Sequence, residues 1–268
     1  MRVRHEHHSA SKGALISLRL GVTAAFTILF TLAAVVPAHG QSVAPPDARP
    51  SLRILFIGNS YTYYNRMPSM VSALAAATPG ARPVEVKDIT VGGATLEKLR
   101  AMQQTQAALA DETWDYVILQ EQSNRPITQP ERMRSAITAL HAAITKTGAR
   151  TLLYVTWAKR KRPQEQTTLS SAYLAAATSL PGTQIAPVGP AWSMALRRNP
   201  DLQLYDGDGS HPSRLGSYLA ACVIFLTTQP GQASCPDIGV TGPSMKTRQL
   251  LESAAREAVR LERSGAIR

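Results

Sequence analysis

The sequence predicts an α/β domain, a parallel sheet with helices packed on both of its faces. Three observations carry that prediction. Five short, mostly apolar runs read as strands of the buried, parallel kind. Between them lie longer segments whose apolar residues recur every three or four positions, as on one face of a helix. Each run then ends in small or polar residues, and in an open α/β sheet ligands bind outside the carboxyl ends of the strands. Strands that alternate with helices pair in parallel through crossover connections, which distributes the helices over the two faces.

Taken in order, the first strand is Leu52–Ile57, broken by Gly58-Asn59 before Ser60. A helix follows around Pro68–Ala77, with Pro68 suited to a first helical turn. Val84–Thr90 is a second strand, and Leu96–Leu109 a helix on the spacing of Leu96, Leu99, Met102, Ala107 and Leu109. Tyr116–Leu119 is the third strand. Pro130–Thr145 is a helix with Met133, Ile137, Leu140 and Ile144 on one face, ended by Gly148. Thr151–Val155 is the fourth strand, Leu169–Leu180 a helix, Gln184–Val188 a short fifth strand and Ala191–Arg197 a helix. An irregular acidic loop leads to helices Arg214–Thr227 and Ser244–Arg263.

The 268 residues exceed one ordinary domain at the N-terminus. Arg2, Arg4, Lys12 and Arg19 precede an uncharged apolar run from Leu20 to Val36, and Ala38-His39-Gly40 supplies small residues for a cut before Gln41. A basic start, an apolar middle and a small-residue cleavage site are the parts of a secretory signal. The expected organisation is therefore a signal peptide over 1–40, a Pro-rich linker over 41–51 and the domain over 52–268, in an exported protein with no stable membrane insertion after cleavage. An uncleaved anchor is the alternative; seventeen residues is at the short limit for a span. Removing 1–40 takes away four bases and Glu6, which brings the formal charge of +11 to +8. The bases are scattered apart from Lys159-Arg160-Lys161-Arg162, which lacks the interleaved aromatics of a nucleic-acid surface and reads as a solvated loop. Two cysteines, Cys222 and Cys235, are too few for a zinc site. In an exported chain they form either a short-loop disulfide or a buried free pair.

Chemistry gathers at the predicted strand ends: Ser60 after the first, Gly92-Gly93 after the second, Gln120-Glu121-Gln122-Ser123-Asn124 after the third, Trp157 after the fourth, and Asp206-Gly207-Asp208-Gly209-Ser210-His211 in the late loop. Acyl transfer needs a nucleophile, a base, a group that orients the base and donors for an oxyanion. Ser60 can be the nucleophile and His211 the base, with Asp208 three residues before it to fix its tautomer. Glycines at 92 and 93 let backbone N–H groups approach an oxyanion closely. A side-chain amide of Gln122, Gln120 or Asn124 can add a donor. Each feature has a plainer reading: Gly-Asn-Ser and Asp-Gly-Ser-His-Pro are also ordinary turn chemistry, and Trp157 is as well suited to rim packing as to stacking on a sugar. Glu121 paired with Asp208 would suggest glycoside hydrolysis, but that leaves Ser60 and His211 without roles.

The order of these pieces resembles the SGNH (GDSL-like) hydrolases. Gly58-Asn59-Ser60-Tyr61-Thr62 is similar to the first block of that family, with Asn59 where Asp is more common. Val91-Gly92-Gly93-Ala94-Thr95-Leu96 is similar to the second, its glycine falling best on Gly93, and Asp208-Gly209-Ser210-His211-Pro212 to the last. The third block departs: Gln120-Glu121-Gln122-Ser123 stands where Gly-x-Asn-Asp is usual, as in divergent bacterial subgroups. The resemblance implies a flavodoxin-like three-layer α/β/α sandwich on a five-stranded parallel sheet, no metal or other cofactor, and a Ser60–His211–Asp208 triad. It also implies oxyanion donors from the Ser60 N–H, the Gly93 N–H and a block-three side chain, with Gln122 ranked before Gln120 and Asn124. Asn59, Gly92, Gln120, Asn124 and Trp157 are expected to line the site. The expected substrate is a small-molecule or glycan ester carrying a small, acetyl-like acyl group, and no nucleic acid. A lipid or thioester hydrolase is the alternative within enzymes, and a non-catalytic phosphate-binding module the alternative outside them; the latter leaves Asp208 and His211 unexplained.

Overall fold

A computed structural model describes residues 50–239 and 244–266. The expected signal peptide and its cleavage point, with nearly all of the linker, lie outside the described residues. Strand β1 (Leu52–Gly58) runs into a one-turn helix α1 (Ser60–Tyr63), a 3₁₀ turn at Tyr64–Arg66 and α2 (Met67–Ala76). β2 (Val84–Thr90), α3 (Leu96–Arg100), α4 (Gln103–Asp111) and β3 (Tyr116–Leu119) follow, then α5 (Arg125–Thr128), α6 (Pro130–Lys146) and β4 (Arg150–Tyr154). A second 3₁₀ turn at Pro163–Glu165 leads to α7 (Gln166–Thr178), β5 (Gln184–Ala186), α8 (Val188–Arg198), α9 (Arg214–Thr228) and α10 (Met245–Arg263).

All five strands are parallel, in the order β2-β1-β3-β4-β5, with Ile54 opposite Val86 on one side and Tyr116 on the other. That order is the flavodoxin-like one, and it reverses direction between β1 and β3, where such sheets place their ligands. The strand period of two divides β1 between two cores. Leu52, Ile54 and Phe56 pack with α2, α8, α9 and α10, while Leu55 and Ile57 pack with α3, α4, α6 and α7. Each fully buried large apolar side chain contributes roughly 1.5–3 kcal/mol. α9 is apolar all round because α2, α8 and α10 all pack against it. Its Gly216 passes so close to Leu204 and Trp192 that a Cβ there would stand 2.2 Å from the Leu204 carbonyl oxygen and 2.4 Å from the Trp192 ring. Cys222 of α9 is disulfide-bonded to Cys235, with Cα atoms 5.8 Å apart. No helix among the described residues is long and apolar enough to cross a membrane.

The single helix expected over Leu96–Leu109 is two helices, broken at Met102, whose backbone is extended (φ −73°, ψ 134°). At 3.6 residues per turn a straight helix would turn Leu96 and Leu109 toward roughly opposite sides. The break lets Leu96, Leu99, Ala108 and Leu109 enter the same core. The fifth strand ends at Ala186 rather than Val188, because Val188 already opens α8. Two short helices, α1 and α5, have too few residues to show a period and were not expected from the pattern.

Candidate active site

The carboxyl end of β1 is fixed by side chains that never face solvent. Asn59 caps α1, its Oδ1 accepting from the Tyr61 N–H at 3.2 Å. Its own N–H donates to Gln120 Oε1 (2.8 Å), and its Nδ2 donates to the Ala94 carbonyl (3.0 Å), which ties the serine turn to the glycine loop. Gln120 Oε1 also accepts from Thr62 Oγ1 at 2.9 Å, and its Nε2 donates to the Glu121 carbonyl. Only glycine fits at position 58, since a Cβ there would meet Thr62 Oγ1 at 2.5 Å and Gln120 Oε1 at 2.7 Å.

This scaffold leaves Ser60 at the first position of α1, with its Oγ 2.8 Å from His211 Nε2. The other ring nitrogen, Nδ1, lies 2.5 Å from Asp208 Oδ2. Asp208 Oδ1 accepts from the Ser210 N–H (2.8 Å) and the His211 N–H (2.9 Å), so the carboxylate shapes the turn that carries the histidine. Burial opposes ionisation of Asp208, but the His211 ring and those two N–H groups outweigh it and bring its pKa down to about 2. Asp206 plays a different part: its N–H donates to the His211 carbonyl and its Oδ1 accepts from the Gly207 N–H.

The histidine loop is clamped from several sides. Trp157 Nε1 donates to the Ser210 carbonyl (2.9 Å), and the Arg160 N–H donates to the Gly209 carbonyl (2.9 Å). The Tyr61 hydroxyl bonds Ser210 Oγ at 2.6 Å. Burial raises the Tyr61 pKa, against hydrogen bonds to Ser210 and Ser123, so it stays a neutral hydroxyl. Trp157 is buried, stacked on Tyr61 at 4.6 Å and on Trp192 at 4.1 Å. It therefore cannot stack on a sugar, and the expectation that it lines the open site is corrected: it packs beneath the loop. The basic run is a solvent-exposed loop, as expected, with Arg160 over the Tyr205 ring and Arg162 paired with Glu165.

The glycine loop and the third strand end lie beside the serine turn. Gly93 has a left-handed backbone (φ 65°), which glycine adopts without strain. Among the described residues neither the Gly92 nor the Gly93 N–H has a hydrogen-bond partner. The three block-three amides differ in what remains free. Gln120 is buried with both ends engaged, which corrects its expected place as a donor or lining group. Gln122 spends its Oε1 on the Asn124 and Arg125 N–H groups, while its Nε2 makes only a long 3.5 Å contact with Ser123 Oγ. Asn124 starts α5 and makes no cap bond with its side chain. Asn59 is turned inward and supports the site without lining it.

Glu121 is fully buried, which excludes it as an acid for a glycosidic bond. Its Oε1 accepts from the Leu96 N–H (3.1 Å) and the Gln122 N–H (2.7 Å), joining the glycine loop to block three. Burial raises its pKa, partly offset by those N–H groups and Arg125. Among the described residues no three His, Cys, Asp or Glu side chains gather as a metal site requires.

Two aromatic neighbours of the histidine escaped sequence reasoning. Tyr64 stacks on the His211 ring at 4.3 Å and 13°, and Tyr61 meets it edge-on at 5.7 Å and 72°. Next to Tyr64, both Asn65 (φ 54°) and Arg66 (φ 56°) are left-handed, a conformation that costs a non-glycine residue roughly 1–2 kcal/mol and that asparagine tolerates better than arginine. Such strain gathers at functional sites.

Against solved structures, an SGNH hydrolase candidate from Slackia heliotrinireducens is 33% identical, covering 66% of this chain and 99% of that one, with a TM-score of 0.59. This chain belongs to the SGNH hydrolase family. The fold of this SGNH hydrolase is shared by a DUF4886 family protein from Bacteroides uniformis at 20% identity (78% and 95% covered, TM-score 0.59). It is shared too by Axe2, an acetylxylan esterase from Geobacillus stearothermophilus, at 15% identity (69% and 96% covered, TM-score 0.53). No family model matches the sequence, and no curated protein matches it. The serine and glycine loops of this SGNH hydrolase leave the carboxyl ends of β1 and β2, and the histidine loop, which connects α8 to α9, reaches the same edge where His211 meets Ser60.

Proposed function

We propose that this SGNH hydrolase is an exported serine esterase that removes a small acyl group, acetyl-like, from a carbohydrate. The observation that carries the reading is the hydrogen-bonded run from Ser60 Oγ to His211 Nε2 (2.8 Å) and from His211 Nδ1 to Asp208 Oδ2 (2.5 Å). His211 takes the hydroxyl proton as Ser60 Oγ attacks the acyl carbon. The tetrahedral oxyanion is met by the free N–H groups of Ser60 and Gly93 and by an amide of Gln122 or Asn124. Collapse breaks the bond to the alcohol, which leaves with the proton from His211, and water repeats the sequence on the acyl-serine.

The small acyl group is supported by the setting. Gly92, Gly93, Gln122 and Asn124, the residues expected to surround the acyl group, are glycines and polar amides, whereas a long chain would need an apolar channel. Asp208 and His211 are 48% and 27% exposed at their side chains, an open rim that admits a bulky alcohol part. Export rests on the N-terminal pattern of basic, apolar and small residues.

The test is labelling with a fluorophosphonate followed by peptide mapping. Label should map to Ser60 and vanish in Ser60→Ala at unchanged circular dichroism; label that persists at Ser123 or Ser210 would sink the assignment. Release of acetate from acetylated xylo-oligosaccharides, compared with release of a long-chain acid from an aryl ester, tests the acyl group.

A further inference from the structure

We propose that Tyr64 is a positioning residue for His211, set in place by the left-handed pair Asn65-Arg66; the inference rests on the esterase reading above. The base must keep both ring nitrogens in line, one toward Ser60 and one toward Asp208, and a swing of the ring about its long axis would break both bonds. Tyr64 lies nearly parallel on the imidazole face, at 4.3 Å and 13°, and blocks that swing. The two left-handed residues lie where the chain meets the histidine loop, with Asn65 within hydrogen-bond reach of Pro212. Asn65 fastens the two together: Nδ2 donates to the carbonyl of Pro212, the residue after His211, and to Ser217 Oγ, both at 2.9 Å. Ser217 Oγ donates in turn to the Tyr64 carbonyl at 3.4 Å. The strained turn, the aromatic ring and the residue beyond the base thus form one connected clamp.

The stack also acts on charge. Once His211 accepts the serine proton the ring is an imidazolium, and an aromatic face attracts a cation. The charge exists in the transition state and not in the resting enzyme, so the attraction belongs to kcat rather than to substrate binding. A phenyl ring would serve as well as a phenol, whereas an aliphatic side chain would not.

The experiment measures kcat and KM for 4-nitrophenyl acetate in the full-length mature protein and its variants. Tyr64→Leu should lose about tenfold in kcat, with KM within about twofold of wild type, and Tyr64→Phe should recover to within about twofold. Asn65→Gly, which keeps the left-handed backbone and removes the fastening, should lower kcat in the same direction by about threefold. The inference is overturned if Tyr64→Leu keeps its kcat, if its loss falls on KM, or if Tyr64→Phe is as impaired as Tyr64→Leu. Should Tyr64→Leu not fold by circular dichroism, Asn65→Gly decides alone, and an unchanged kcat there overturns the clamp. A wild-type protein that neither hydrolyses the ester nor takes the label at Ser60 would bring down the esterase reading itself; an active wild type with an undisturbed Tyr64→Leu would bring down the clamp only.

Discussion

Asparagine at position 208 isolates what, in the proposed mechanism, the Asp208 carboxylate gives to His211 as the base. The Oδ1 bonds from the Ser210 and His211 N–H groups, at 2.8 and 2.9 Å, survive Asp208→Asn because an amide oxygen accepts equally well, so the turn should keep its shape. What is lost is the negative charge beside the imidazolium. Two unit charges about 4 Å apart attract by about 1 kcal/mol in water and about 4 kcal/mol at an effective dielectric of 20. With Asp208 48% exposed and His211 27% exposed, solvent screening keeps the value between those limits, at about 2 kcal/mol. That corresponds to about a 30-fold loss in kcat/KM, against about a thousandfold or more for His211→Ala. The assay is 4-nitrophenyl acetate hydrolysis on the alkaline side. Since Asp208 has its pKa lowered to about 2, it stays charged through any practical assay range. Its contribution to folding stability has the matching sign: present above the ordinary carboxylate pKa near 3.8, and lost as pH falls toward 2. Asp206→Asn is the internal control, because its backbone bond to the His211 carbonyl is indifferent to the side chain. A loss under about threefold for Asp208→Asn, or a crippled Asp206→Asn beside a healthy Asp208→Asn, would refute the assignment.

Three further outcomes are expected. Gly216→Ala drives a methyl group into the Leu204 carbonyl and the Trp192 ring and should destabilise the fold by about 1–3 kcal/mol in urea denaturation; wild-type stability would show that α9 does not pass so close. Reduction of the Cys222–Cys235 bond, which closes a short loop, should lower stability by about 3 kcal/mol on the chain-entropy account without altering kcat; two freely alkylated thiols in the native exported protein would show there was no bond to lose. N-terminal sequencing of exported protein should begin at or within a few residues of Gln41, and an intact Met1 on a membrane-bound product would establish an anchor instead.

The sheet was legible because burial on both faces leaves a plain mark: Ile54-Leu55-Phe56-Ile57 cannot be anything but sheltered, and its alternation between two cores follows from the strand period alone. Ser60, Asp208 and His211 were legible as a set because a strand end and a short Asp-x-x-His turn need no tertiary information to be recognised. The bend at Met102 was not, since no glycine or proline announces it and only the demand that Leu96 and Leu109 reach one core produces it. Gln120 and Trp157 were misplaced for a related reason. A polar or aromatic residue just past a strand can face the ligand or the neighbouring turn, and the choice depends on what occupies the space beside it. Here that space holds the backbone of Asn59 for Gln120, and the rings of Tyr61 and Trp192 for Trp157. Tyr64 was invisible because its partner lies 147 residues downstream, and its approach depends on two backbone angles that the Tyr-Asn-Arg sequence does not advertise.

Two of the three tryptophans, Trp157 and Trp192, lie face to face at 4.1 Å and 11°, with Tyr61 stacked on the outer side of Trp157 and Tyr205 edge-on to Trp192. Indoles that close and that parallel couple their electronic transitions, so the pair should give an intense, structured near-ultraviolet circular dichroism band. Trp157 also donates to the Ser210 carbonyl, one peptide from His211, so any shift of that loop changes the spectrum directly. Trp114 leads into β3 at the opposite end of the sheet, beneath the Arg53 guanidinium, and contributes an ordinary, uncoupled signal that follows the fold as a whole. The molecule therefore carries two optical gauges of its own, one for the loop and one for the scaffold, and loosening of the first ahead of the second can be followed in real time without attaching a dye.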